Sequence, residues 1–166
     1  MPAHEHHRDD RKGLRIAVVT LSDTRTIDTD ESGRLIRELA EHAGHRVVHY
    51  EIAADSPEEI SGAIERALAQ AADAVVLNGG TGIAPRDSTI EVVRHMLDQE
   101  LEGFGELFRM LSYSEIGPAA FLSRALAGVA RGKIIAALPG SPAACRLGME
   151  KLLIPELGHM ANLLGL

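Results

Sequence analysis

A glycine-rich turn and two aspartates are the residues here whose types and spacing suit phosphate chemistry. Gly79-Gly80-Thr81-Gly82 places three glycines within four residues. Such a turn lets the backbone approach a ligand closely and aims several N–H groups at one oxygen. It is neither a Walker loop nor a G-x-G-x-x-G dinucleotide loop, because the spacings and the Walker lysine are absent. A tight strand-to-helix turn is the purely structural reading of the same residues. Asp87 stands five residues beyond Gly82 and directly before Ser88. It reads either as a helix cap or as a carboxylate that holds Mg²⁺ beside phosphates, where hard oxygen ligands are required. Asp55, directly before Ser56, has the same two readings. Two carboxylates on neighbouring strand ends, facing a phosphate-binding turn, would make a metal-assisted phosphoryl or nucleotidyl transfer site. The single Cys145 has no base named near it in sequence, so it reads as a packing thiol rather than a nucleophile.

These residues need a scaffold that brings strand ends together. Residues 14–21 form a short, β-branched apolar run, which suits a buried strand. Asp30 can cap a helix over 31–43 that stops at Gly44. Val48, Tyr50 and Ile52 alternate as a second strand. Ser56-Pro57-Glu58-Glu59 is a capping box with proline at the first helical position. Residues 74–77 give a third strand that runs into the glycine turn. Ser88-Thr89-Ile90-Glu91 predicts a second capping box. This alternation means parallel βαβ units and an open α/β sheet. Residues 104–111 read as a helix, and 126–130 with 133–138 as a hairpin about Arg131-Gly132, so one strand is expected to be antiparallel. Residues 139–142 cap a helix to about 153, and Pro155 starts a last one to about 164. Met96, Met110, Met149 and Met160 fall on helical faces and are expected in the core. Ligands of such sheets bind outside the carboxyl ends of the strands, where helix N-termini favour anions.

Composition narrows the class further. The chain has 166 residues, 45% hydrophobic and 25% charged, which suits one globular domain over 14–166 behind a polar tail over 1–13. His4, His6 and His7 in that tail read as solvated rather than metal-binding. A lone cysteine rules out an intramolecular disulfide and fits a reducing compartment. No apolar run approaches the ~20 residues that span a bilayer, and the N-terminal residues are unlike a signal peptide, so a cytoplasmic protein without membrane contact is expected. The formal net charge of −7 argues against a nucleic-acid surface.

Four segments together resemble the MoaB/MogA family of molybdenum cofactor biosynthesis, with the wording of 103–145 closest to the MoaB branch. They are Asn78-Gly-Gly-Thr-Gly-Ile-Ala-Pro-Arg-Asp-Ser-Thr89, Gly103-Phe-Gly-Glu-Leu-Phe-Arg109, Leu122-Ser-Arg124 and Leu138-Pro-Gly-Ser-Pro-Ala-Ala144. With Ile16 and Ser22-Asp23 the resemblance spans about 14–164. It implies a three-layer α/β/α fold with a mostly parallel sheet containing one antiparallel strand. It implies assembly as a homotrimer or hexamer, and binding of molybdopterin. The implied reaction is adenylyl transfer from Mg-ATP onto the molybdopterin terminal phosphate, with release of pyrophosphate. A non-catalytic molybdopterin carrier in the same pathway is the alternative. The family's two essential aspartates fall on Asp55 and Asp87, which would hold Mg²⁺. Ser22, Asp23, Gly79, Gly80, Thr81, Gly82, Glu106, Ser123, Arg124, Gly140 and Ser141 fall in motifs implied to bind substrate or phosphate.

Overall fold

The computed structural model describes residues 11–166, so His4, His6, His7 and the rest of the expected tail up to residue 10 lie outside the described residues. In chain order the elements are β1 (Arg15–Leu21), α1 (Glu31–His42), β2 (Arg46–Ala53), α2 (Pro57–Ala69), β3 (Ala74–Asn78), α3 (Thr89–Met96), β4 (Gln99–Glu100), α4 (Glu102–Ile116), β5 (Leu126–Ala130), β6 (Lys133–Leu138), α5 (Pro142–Gly148) and α6 (Ile154–Leu164). The six strands form one sheet in the order β2-β1-β3-β6-β5-β4. β5 pairs antiparallel with both β6 and β4, and is the one strand that runs against the rest. The turn between β5 and β6 uses Arg131 (φ 51°) and Gly132 (φ 71°), the two positive values that a twist-matched two-residue hairpin requires.

Period-two alternation explains the three layers. Ile16, Val18, Val76, Ile134 and Ala136 send their side chains to one face, against Ile36 of α1, Phe108 of α4 and Leu157 of α6. Their neighbours Ala17, Val19, Val75, Leu77 and Ile135 face the other way, against Ile60 and Ile64 of α2 and Ile90 and Val93 of α3. Because β1, β3 and β6 are buried on both faces, they read as continuous apolar runs. Among the described residues, no helix is long and apolar enough to cross a membrane.

Of the expected caps, Asp30, Ser56 and Ser141 form and Ser88 does not. Asp30 accepts from the Gly33 N–H at 2.9 Å, and Ser56 accepts from the Glu59 N–H at 3.4 Å. Ser88 makes no capping bond, and its buried Oγ has no partner. Its φ of −128° and ψ of 1° leave the extended geometry that a capping side chain needs. Pro155 stands in the first turn of α6, where the last helix is expected to start. A π-helical turn, Met149–Leu153, joins α5 to α6, and its wider ladder accommodates the missing proline N–H. Met110 is 59% exposed rather than in the core, since it shares a face of α4 with exposed Leu107, Tyr113 and Ile116 that points away from the sheet. β4 was not expected at all; at two residues it is too short to show alternation.

The end of the sheet opposite the glycine turn is tied by charge. Buried Asp73, just before β3, accepts from the Arg15 backbone N–H (2.8 Å), Nε (3.1 Å) and an Nη (2.8 Å), and Lys133 stands 3.7 Å away. Burial works against its charge, but these hydrogen bonds and cations prevail and hold the carboxyl below its usual range. A depressed folded value adds stability that is present above the unfolded value and is lost as pH falls through the folded one. Asp73→Asn should therefore cost about 1–3 kcal/mol at neutral pH. Urea unfolding of both proteins should show that difference shrinking in acid; a constant difference at every pH would contradict it.

Candidate functional site

Three parallel strands end level with one another. Thr20 pairs with Asn78, and Asn78 pairs with Leu138, so the loops after β1, β3 and β6 leave the sheet at one height. The β2 end joins them through Leu21 opposite Ala53. Gly79 (φ 101°) and Gly80 (φ 65°) take the left-handed conformation that a side chain resists. A Cβ on Gly79 would also strike the Leu21 carbonyl, and one on Gly80 would lie 2.9 Å from Asp55 Oδ1. The turn is tied to the start of α3, because Thr89 Oγ1 donates to the Gly79 carbonyl at 2.9 Å and the Thr89 N–H donates to Gly80 at 3.2 Å. Among the described residues, the N–H groups of Gly80, Thr81 and Gly82 find no acceptor. Of the three, Gly80 lines the cavity described below, so its N–H is the donor that a phosphate oxygen there would reach.

These loops enclose a cavity of about 200 Å³. Asp55, Asp87, Ser22, Asp23, Gly79, Gly80 and Gly140 all line it, so sequence positions more than a hundred residues apart converge there. The Asp55 N–H donates to Asp23 Oδ1 at 3.0 Å, while Asp55 Oδ1 is buried with no partner. Burial, followed by the charges of Asp87 and Asp23, pushes the Asp55 carboxyl above its ordinary value, and Arg86 partly offsets this. Asp87 Oδ2 accepts from the Ala84 N–H at 2.9 Å and closes a small turn; a Cβ on Gly82 would lie 2.7 Å from that oxygen. Asp87 thus holds its own loop and is not the cap of α3.

Sequence reasoning missed two cations that line the same cavity, Arg25 and Arg86. Arg25 donates to the Gly140 carbonyl at 3.3 Å and stands 3.6 Å from Asp30, and Ser32 Oγ reaches the same carbonyl at 2.7 Å. The signal was present, since both arginines sit in loops at the carboxyl edge, but neither belongs to a familiar phosphate motif.

The remaining predicted residues go elsewhere. Glu106, Ser123 and Arg124 line a second cavity of about 400 Å³, together with Arg94, Arg109 and Phe121. Thr81 is 4% exposed, beneath the turn rather than on its surface. Gly82 presents its carbonyl to Arg124 Nε at 3.0 Å. Ser141 accepts from the Ala144 N–H at 3.2 Å and caps α5. Cys145 lies buried, its thiol donating to the Pro139 carbonyl at 3.2 Å, and burial pushes it up to about 12, as befits a packing residue.

The donor set suits a hard cation shared with a ligand. Among the described residues, no group of three or more His, Cys, Asp or Glu is placed to cage a metal. Mg²⁺ asks less: one or two carboxylates, with waters and substrate phosphates completing the shell. Asp55, with its orphaned buried oxygen, and Asp87 across the cavity fit that demand.

Comparison with known proteins identifies the family. A family model described as a probable molybdopterin binding domain matches residues 17–159. Molybdenum cofactor biosynthesis protein B of Halalkalibacterium halodurans is 52% identical over 162 residues, which cover 96% of this chain and 95% of the relative. Its counterpart in Bacillus subtilis is 47% identical, over 98% of this chain and 96% of that one. Among solved structures, the tungsten cofactor synthesizing protein MoaB from Pyrococcus furiosus superimposes with a TM-score of 0.83 at 39% identity, covering 92% of this chain and 97% of that chain. The family match and these relatives place the chain in the MoaB branch of the MoaB/MogA family of molybdenum cofactor biosynthesis proteins.

Proposed function

We propose that this chain adenylylates molybdopterin: a terminal phosphate oxygen of the pterin attacks the α-phosphorus of ATP. The new P–O bond forms as the α–β bridging bond breaks, and pyrophosphate leaves. The observation that carries this reading is Asp55, whose buried oxygen has no partner and which lines one cavity with Asp87 and the unpaired N–H of Gly80 at the carboxyl edge of the sheet. No protein nucleophile is required, because the pterin phosphate attacks. The chain's task is to hold two polyanions in line and offset their charge. The Gly80 N–H holds a phosphate oxygen, and Arg25 and Arg86 add fixed positive charge along the cavity wall. Asp55 and Asp87 hold Mg²⁺, which supplies charge neutralisation at the reacting phosphorus and on the leaving group. The larger neighbouring cavity, lined by Glu106, Ser123 and Arg109, offers room for the pterin.

The chain acts as a homo-oligomer, a trimer or a hexamer, through the apolar stripe Leu107, Met110, Tyr113 and Ile116. Light scattering at micromolar concentration should find an assembly, and Met110→Glu with Tyr113→Glu should shift it toward monomer. A wild-type monomer would end this part of the reading.

Asp87→Asn separates catalyst from carrier. Asparagine can still accept from the Ala84 N–H, so stability should change by less than about 1 kcal/mol. Pyrophosphate release from ATP in the presence of molybdopterin should fall at least ~100-fold, because the charge that the cation needs is gone. A variant with near-normal turnover would remove Asp87 from the mechanism, and an inactive wild type that still binds molybdopterin would make the protein a carrier.

Asp55→Asn should act on stability in the opposite sense. A carboxyl whose folded value is raised favours the fold only while protonated, so its contribution is lost as pH rises through that value. Without divalent cations, the variant should melt above wild type at neutral pH, and the gap should close in acid. Thermal scans that find it less stable at neutral pH would contradict this account of the site.

A further inference from the structure

Arg124 lines the larger cavity, and its guanidinium is bonded to the loop that carries Asp87. Its Nε donates to the Gly82 carbonyl at 3.0 Å, and one Nη donates to the same carbonyl at 2.6 Å and to the Asp87 carbonyl at 3.3 Å. The other Nη is paired with Glu91 on α3. One side chain therefore grips both ends of the 82–87 loop and anchors the grip to a helix.

The loop has little else to hold it. Residues 83–86 are exposed. The bonds inside it run between Ala84 and Asp87 and do not reach the body of the protein. Ser88, which could have fixed its last residue to α3, makes no capping bond. A planar fork that spans two carbonyls five residues apart is a task for arginine, because a lysine ammonium is a point donor on a flexible stem.

We infer that Arg124 is a positioning residue, a latch that fixes the 82–87 loop so that the Asp87 carboxylate stands opposite Asp55. This rests on the reading of Asp55 and Asp87 as holders of a divalent cation. It differs from the substrate-binding role that the sequence motif implies, because the guanidinium is already committed to two carbonyls and a carboxylate. Loss of the latch leaves the carboxylate in place chemically but spreads its positions, which weakens cation binding without removing a ligand.

Arg86, exposed at the middle of the loop, gives a direct readout. Trypsin cleavage after Arg86 in the metal-free, substrate-free protein reports how often the loop leaves its seat. Mn²⁺ alone, titrated by electron paramagnetic resonance, reports the carboxylate pair. In both Arg124→Ala and Arg124→Lys, cleavage at Arg86 should quicken and Mn²⁺ dissociation constants should rise by about tenfold or more, as loss of charge-assisted hydrogen bonds brings. The lysine variant decides between roles: an electrostatic contact to substrate survives in it, whereas a latch does not. Wild-type cleavage and wild-type Mn²⁺ affinity in both variants would overturn the latch. A wild type that binds no Mn²⁺ would overturn the cation reading instead, and the cleavage rates of the three proteins would then decide on the latch alone.

Discussion

At the ends of β1 and β3 the Asn78 amide donates to the Thr20 hydroxyl inside the sheet, at 2.9 Å, and both residues are almost fully buried. A polar pair in that position is costly unless it is satisfied, and it is satisfied only in the register that sets Thr20 opposite Asn78. That register makes the loops after three strands emerge together, and with them Ser22, the glycine turn and Gly140. At the other end of the same strands, Asp73 binds the start of β1 and stands beside Lys133 at the start of β6. The sheet is thus fixed at one end by an ion cluster and at the other by a neutral pair. This leaves the charged groups of the carboxyl edge free to face the cavity.

The electrostatics of that cavity run against those of a stable fold. Three aspartates line it in a chain whose formal net charge is already −7. Fixed donors offset this only in part: Arg86 lowers the Asp55 carboxyl less than burial and its two acidic neighbours raise it. An uncompensated carboxylate of this kind is strain held in place by surrounding structure. A cation held by Asp55 and Asp87 would relieve it and would supply positive charge toward phosphate oxygens, so one arrangement would favour both the metal and the polyanion. The Gly80 N–H, Arg25 and Arg86 place positive charge in that cavity despite the net negative charge of the chain.

The fold was legible because its signals are local and repeated. Strand alternation, the glycine stop after α1, the caps at Asp30 and Ser56 and the Arg131-Gly132 turn each follow from a few neighbouring residues. The family resemblance supplied the placement of Asp55 and Asp87, which composition and spacing left as either caps or ligands. What stayed hidden depended on contacts between distant segments. The direction of the Arg124 side chain is set by carbonyls some forty residues earlier in the chain. β4 exists only because β5 offers it an edge. The serine at 88 carries the right spacing for a capping box, but the turn closed by Asp87 dictates its backbone angles, and tertiary geometry overrode the motif.

The uncapped start of α3 also explains how the site divides into parts. Two bonds from Thr89 fasten the helix to Gly79 and Gly80, so the first half of the glycine turn and α3 behave as one body built on β3. Residues 82–87 lie outside that body. They close on themselves through Asp87 and depend on Arg124 for attachment. Had Ser88 capped the helix in the usual way, Asp87 would have been drawn into the helix entry, its carboxylate turned toward the amide groups of α3. By giving up that cap, the chain leaves Ser88 Oγ without a partner, a cost of about 1–3 kcal/mol. In return Asp87 lines the cavity with Asp55, and Gly80 and Asp87 are positioned by separate supports, Thr89 for the one and Arg124 for the other.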